Sequence, residues 1–132
     1  MNHLISVGLI YTKDNKLLCV KSKGKDKFFI PGGKPELKES NESALKREVQ
    51  EELNVKLDLN SIKYQFTIND IAYGLKDTTL DMHCYRGDFN GNFIASSEIE
   101  TASWLSLSDI ALCAPAAQKV MKRILKSENN HE

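Results

Sequence analysis

The apolar positions along the chain change period several times, and each change marks an element. Leu4 to Thr12 and Leu17-Leu18-Cys19-Val20 are apolar and β-prone, with turn residues Lys13-Asp14-Asn15-Lys16 between them, which predicts a hairpin. Gly8 inside the first run is consistent with a bulge or a close backbone approach, and a plain packing glycine explains it at least as well. A basic loop, Ser22 to Lys27, precedes a short strand, Phe28 to Pro31, that runs into the pair Gly32-Gly33. Over residues 41–53 the period becomes helical, with Leu45, Val49 and Leu53 recurring every fourth position. Ser40 stands as the N-cap and Glu42 lies in the first turn, where the helix dipole favours it. Pro35 falls in the loop ahead and breaks nothing.

Alternation returns at Val55, Leu57, Leu59 and at Ile62, Tyr64, Phe66, a strand pattern interrupted near Asp58 to Ser61. Asn69 to Thr78 is ambiguous. Thr79 to Arg86 alternates as a strand, Asn90-Gly91 marks a tight turn before Phe93-Ile94-Ala95, and Trp104 to Leu107 predicts a further short strand. Ser108-Asp109 can cap a brief helical turn, and Pro115 opens a last helix with Val120, Met121, Ile124 and Leu125 on its apolar face. Residues 127–132 are expected to fray. Helices and strands in this mixed order suit an α/β fold with a sheet covered on both faces.

The 41–53 helix carries the candidate chemistry. Glu48, Glu51 and Glu52 fall within roughly a 100° arc. Carboxylates so placed repel by a few tenths of a kcal/mol per pair, so a purely structural helix gains nothing from them. A solvated acidic face would lie opposite the apolar stripe. Here that side is held by Ser43 and Gln50, with Lys46 and Arg47 at its margins, while Glu48 and Glu52 hug the stripe's edge. Carboxylates beside the core, just after a glycine turn, point to a hard cation held by oxygen.

Composition narrows the partners. The chain has 132 residues, enough for one domain with one core, and 18 basic residues balance 18 acidic ones. That balance gives no reason to expect bulk binding to nucleic acid or to an anionic membrane. The first residues lack a basic segment, and their apolar run is too short for a signal or a membrane span. Cys19, Cys84 and Cys113 form no C-x-x-C pair and read as buried thiols in a reducing cytoplasm. His3, His83 and His131 are isolated. Tyr73, Tyr85 and Phe28 are able to stack on a base, though core or rim packing is the better account of each.

Gly33, Glu39 and the run Arg47-Glu48-Val49-Gln50-Glu51-Glu52-Leu53-Asn54-Val55, at these intervals, resemble the Nudix box. Phe29-Ile30-Pro31-Gly32-Gly33-Lys34 is similar to its usual lead-in. Asn54 departs from the family's glycine at a site that follows the helix, where asparagine is the best-tolerated substitute in a left-handed conformation. The resemblance implies a Nudix-type α/β/α sandwich with a mixed sheet, a single domain over 1–132, acting as monomer or homodimer on a small nucleotide. It implies Mg²⁺, or Mn²⁺, at Glu48, Glu51 and Glu52, with the Gly32 carbonyl as a further ligand. Arg47 would orient, reaching Glu39 across the turn. Glu98 would add a metal ligand or general base from the loop before Trp104, with Glu100 as competitor. The base itself stays open among Glu48, Glu52 and Glu98.

Lys34, after the glycine pair, is the leading phosphate contact, with Lys21 and Lys23 as others. The segment Pro115-Ala116-Ala117-Gln118 is similar to one in which relatives acting on oxidised purine triphosphates place an asparagine. Ala117 takes that position, and Gln118 offers the same donor and acceptor. Residues 68–71, Ile-Asn-Asp-Ile, lack the proline of the ADP-ribose hydrolases, and no NADH-pyrophosphatase motif follows. A nucleoside triphosphate pyrophosphohydrolase is therefore expected. The alternatives are a dinucleoside polyphosphate or nucleotide-sugar hydrolase and, from another class, an inactive nucleotide-binding module.

Overall fold

Neighbouring residues of the same strand serve two different cores, and this alternation builds the sandwich. In the computed structural model, which describes residues 1–127, the strands are β1 (Asn2–Ile10), β2 (Thr12–Lys13), β3 (Lys16–Ser22), β4 (Gly32–Gly33), β5 (Lys63–Ile71), β6 (Thr78–Arg86) and β7 (Ile99–Leu105). The helices are α1 (Asn41–Leu53) and α2 (Pro115–Ile124), with 3-10 turns at Leu59–Ser61 and Leu107–Leu112. β1 sends Ile10, and β3 sends Leu17 and Cys19, into a core closed by Ala116, Ala117, Val120 and Met121 of α2. The same strands send Val7, Leu9, Leu18 and Val20 to the opposite face, under Ala44, Leu45, Val49 and Leu53 of α1. Helix α1 thus covers one face and α2 the other.

The strands form a mixed sheet, β4-β1-β6-β5, and an antiparallel one, β2-β3-β7. In the first, β1 runs parallel to β6 and antiparallel to β4. Phe28 to Pro31 forms no strand: it makes isolated bridges, Val20 with Phe29 and Phe28 with Cys113, and regular pairing passes to Gly32–Gly33. Gly8 is a packing glycine and marks no bulge, since the atoms over it belong to side chains and the β1–β6 register runs through it unbroken. A Cβ there would lie 2.9 Å from Ile30 Cγ2 and 3.1 Å from Met82 Sδ.

The stretch around Leu57 keeps only a bridge to Phe89, because Asp58 caps the 3-10 turn that follows. The ambiguous segment divides, Asn69–Ile71 ending β5 and Thr78 opening β6. β7 starts at Ile99, ahead of the expected Trp104, and Leu107 belongs to a 3-10 turn closed by a Ser106–Asp109 capping box. Of the segment expected to fray, 128–132 lie outside the described residues, as does His131. No helix among the described residues is long and apolar enough to cross a membrane.

Both ends of α1 are set locally. Ser40 Oγ accepts the Ser43 N–H at 3.1 Å. Asn54 adopts φ 56° and ψ 37°, and its N–H closes on the Gln50 carbonyl. These caps hold the helix in register against β4.

Candidate active site

The site begins with two absent side chains. Gly32 sits at φ 145°, and a Cβ on it would lie 2.0 Å from the Val7 carbonyl oxygen, so only glycine lets β4 pair there with β1. At Gly33 a Cβ would fall 2.5 Å from Glu48 Cδ and 2.6 Å from its Oε2. The Glu48 carboxylate therefore occupies the space a side chain would fill. One turn further along α1, Glu52 Oε1 accepts the Gly32 N–H at 3.0 Å. The two carboxylates are held against bare backbone.

This arrangement predicts a separation of stability from activity. Gly33→Ala is expected to displace the flexible end of Glu48, costing under about 1 kcal/mol in urea unfolding. Turnover is expected to fall at least about tenfold. Equal activity in the variant would show that the Glu48 position does not matter.

Arg47 organises the remaining carboxylates. Its Nε and Nη2 grip Glu39 in a fork at 2.8 and 2.9 Å, and Nη2 also reaches the Lys34 carbonyl at 3.2 Å. Nη1 donates to Glu48 at 3.1 Å and more loosely to Glu51 at 3.5 Å. The cross-turn contact and the helical i,i+4 pair coexist. The guanidinium drives the Glu39 carboxyl down to about 2, assisted by the Glu36 N–H. Its own proton is held more tightly in return, above all by the Glu39 bond.

Glu52 and Glu48 are pushed the opposite way from Glu39. Burial raises Glu52 to about 8 against the pull of the Gly32 N–H, with further upward pressure from the charges of Glu48 and Glu51. Burial likewise raises Glu48, opposed by Arg47. Such upward shifts are the response of desolvated like charges that lack a full counter-charge.

The donors present suit a hard divalent cation: carboxylate oxygens at a cradle kept open by Gly33, short of positive charge. Glu48 Oε1 and Glu52 Oε2 have no hydrogen-bond partner among the described residues. Those residues contain no group of three or more His, Cys, Asp or Glu side chains already drawn together as a metal site, and Arg47 is paired with Glu48 and Glu51. A cation would bind by competing with Arg47 for them.

Other candidates are placed less centrally. Lys34 is exposed beside the cradle. Lys21 is tied to Glu100 at 2.8 Å across the β3–β7 edge. Lys23 donates its N–H to the Glu98 carbonyl at 2.9 Å, so these two share an edge. The Glu98 side chain is exposed and makes no hydrogen bond or ion pair among the described residues. Gln118 turns its amide inward, donating to the carbonyls of Ile110 at 3.1 Å and Cys113 at 3.0 Å. Tyr85 is core, bonded to Asn41, and Tyr73 is rim, bonded to Asp26. The bond from the Asn41 amide at the start of α1 to the distant Tyr85 hydroxyl is structural, and nothing local in the sequence signals it.

A mixed-sheet sandwich with its acidic helix docked on a paired-glycine turn is the architecture of a Nudix hydrolase. The NUDIX domain family model matches residues 1–126, and the chain belongs to this family, a hydrolase acting on phosphorus-containing acid anhydrides. Members generally use divalent metals such as Mg²⁺. The E. coli ORF135 protein is 25% identical, with TM-score 0.70 and coverage of 92% of this chain and 88% of that one. The MutT NUDIX hydrolase from Burkholderia pseudomallei is 21% identical, with TM-score 0.77 over 94% and 99% of the two chains. The E. coli dihydroneopterin triphosphate pyrophosphohydrolase is 18% identical, with TM-score 0.66 over 93% and 94%. No curated protein matches the chain.

Proposed function

We propose that this chain is a Mg²⁺- or Mn²⁺-dependent nucleoside triphosphate pyrophosphohydrolase, cutting between the α and β phosphates to give monophosphate and pyrophosphate. The observation that carries the reading is the pair Glu48 and Glu52, desolvated against Gly32–Gly33 with a free oxygen each. A divalent cation bound there would supply positive charge to the phosphate oxygens and make a nearby water more acidic. The chain's own residues do the positioning. Arg47 sets the carboxylates relative to the turn, and the exposed Lys34 ammonium stands beside the cradle to meet a phosphate. One relative of this fold is named for action on a triphosphate. Three free, buried cysteines fit a cytoplasmic enzyme.

Base selectivity is expected to be modest. Ala117 is buried at 2% exposure and offers only a methyl group. Gln118 spends both amide hydrogens on backbone carbonyls. Sites without hydrogen bonds to the distinguishing groups rarely discriminate by more than about a hundredfold. The test is a panel of nucleoside triphosphates, ADP-ribose, a dinucleoside polyphosphate and a nucleotide sugar, each with Mg²⁺ or Mn²⁺ and scored for products. Triphosphates should turn over fastest and release pyrophosphate, within about a hundredfold of one another. Far faster turnover of ADP-ribose, a dinucleoside polyphosphate or a nucleotide sugar would overturn the substrate assignment. Strong preference for one oxidised purine would overturn only the selectivity claim.

A further inference from the structure

The solvent side of α1 and the loop after residue 95 enclose an open groove of about 700 Å³ that lies outside the carboxylate cradle. Ser43, Lys46, Gln50 and Asn54 line it from the helix, and Ser96 and Ser97 from the loop. Arg47 and Glu51 form the ridge between groove and cradle. The helical residues recur at three- and four-residue steps, so they share one face. The far wall is a built feature. Ile94 and Ser96 donate their N–H groups to the carbonyls of Leu53 and Glu52, both at 2.9 Å, using acceptors that the end of a helix leaves open. Ser97 is held at φ 56°, a conformation serine adopts against a steric penalty.

Apart from the Arg47–Glu51 pair, the lining is neutral and polar around a single lysine. The side chains of Ser43, Lys46, Gln50, Asn54, Ser96 and Ser97 have no hydrogen-bond or ion-pair partner among the described residues. Arg47, on the ridge, has all its nitrogens engaged, which leaves Lys46 as the uncommitted cation of the lining. Among the described residues no aromatic side chain lines the groove, and its lining offers no stacking platform for a base. Glu51 on the ridge is paired with Arg47, and the hydroxyl and amide donors around the Lys46 ammonium suit a phosphoryl group.

We propose that this groove is the subsite for the terminal phosphate of the substrate half that leaves, gripped by Lys46 and steadied by the neighbouring hydroxyls and amides. This rests on the hydrolase reading above, in which the anhydride is cut at the cradle across the Arg47–Glu51 ridge. The phosphate has two possible sources: the pyrophosphate end of a triphosphate, or the sugar phosphate of a nucleoside diphosphate sugar. Lys46 is then a specificity-determining residue.

The test is an NMR titration of the metal-free protein with inorganic pyrophosphate and, separately, with ribose 5-phosphate. Amides of Lys46, Asn54, Ser96 and Ser97 should shift saturably. Lys46→Met should weaken binding about tenfold, the loss of one charge-assisted hydrogen bond. In turnover the same variant should raise KM by a similar factor and leave kcat within about twofold, the signature of binding that is equal in ground and transition states. Tighter binding of pyrophosphate identifies the triphosphate source, and tighter binding of the sugar phosphate identifies the other. Absent shifts at these amides, unchanged affinity in Lys46→Met, or an unchanged KM overturns the subsite. If no substrate is hydrolysed while Lys46-dependent shifts persist, the hydrolase reading fails and the anion site stands.

Discussion

Replacing Glu52 with glutamine is expected to lower kcat by two to three orders of magnitude, the usual cost of removing one electrostatic group at a reacting centre. The amide keeps the shape and the acceptor that bonds the Gly32 N–H, so the fold should survive. The second half of this prediction concerns stability without metal. Glu52 titrates near 8 in the folded protein against an ordinary value of 4.5. Between those values the native state holds a proton that the unfolded chain has released. Stability from this group is therefore full below about pH 4.5 and is lost as pH rises toward 8. Glu39 acts in the opposite window: its folded value near 2 means that stability is lost as pH falls below its ordinary value of 4.5. In EDTA, wild-type unfolding temperature should decline between pH 5 and 9, whereas Glu52→Gln should stay nearly flat and exceed it at pH 9. Parallel curves would show that Glu52 is not a buried carboxyl.

Arg47→Ala carries the second large effect. The guanidinium is the common counter-charge of Glu39, Glu48 and Glu51, and its loss leaves them facing one another. Stability in urea unfolding should fall, but by less than the loss of a fully buried pair, because the guanidinium side chain is 27% exposed. Activity should fall about tenfold to a hundredfold, as for residues that orient metal ligands. Arg47→Lys should recover little of either, because one ammonium cannot fork onto Glu39 while reaching Glu48. Full rescue by lysine in urea unfolding and in turnover would reduce Arg47 to a simple charge.

What the sequence disclosed follows from how local each determinant is. Helix α1 was legible end to end, since Ser40, the Leu45–Val49–Leu53 stripe and Asn54 act within a few residues of one another. The place of Glu48 and Glu52 at the stripe's edge is what buries them, so their desolvation was implicit in the helical wheel. The Glu39–Arg47 fork crosses a turn and came from family resemblance, as periodicity carries no such information. Pairings between distant segments were not legible. The parallel contact of β1 with β6 joins residues far apart in the chain. The Lys21–Glu100 bridge follows from the β3–β7 register, which nothing near either residue encodes. Gln118 looked free because the carbonyls that take its hydrogens belong to a 3-10 turn recognised only in outline. The groove along α1 was hidden for a similar reason: its far wall depends on backbone bonds from Ile94 and Ser96 to the helix end.

The central claim is that α1 and the glycine turn together hold a divalent cation. A Mn²⁺ titration followed by paramagnetic broadening of backbone amides tests it most directly. Broadening should begin at Gly32, Gly33, Glu48, Glu51 and Glu52 and be strongly reduced in Glu52→Gln. Broadening centred elsewhere in the chain, or unchanged by Glu52→Gln, would contradict it.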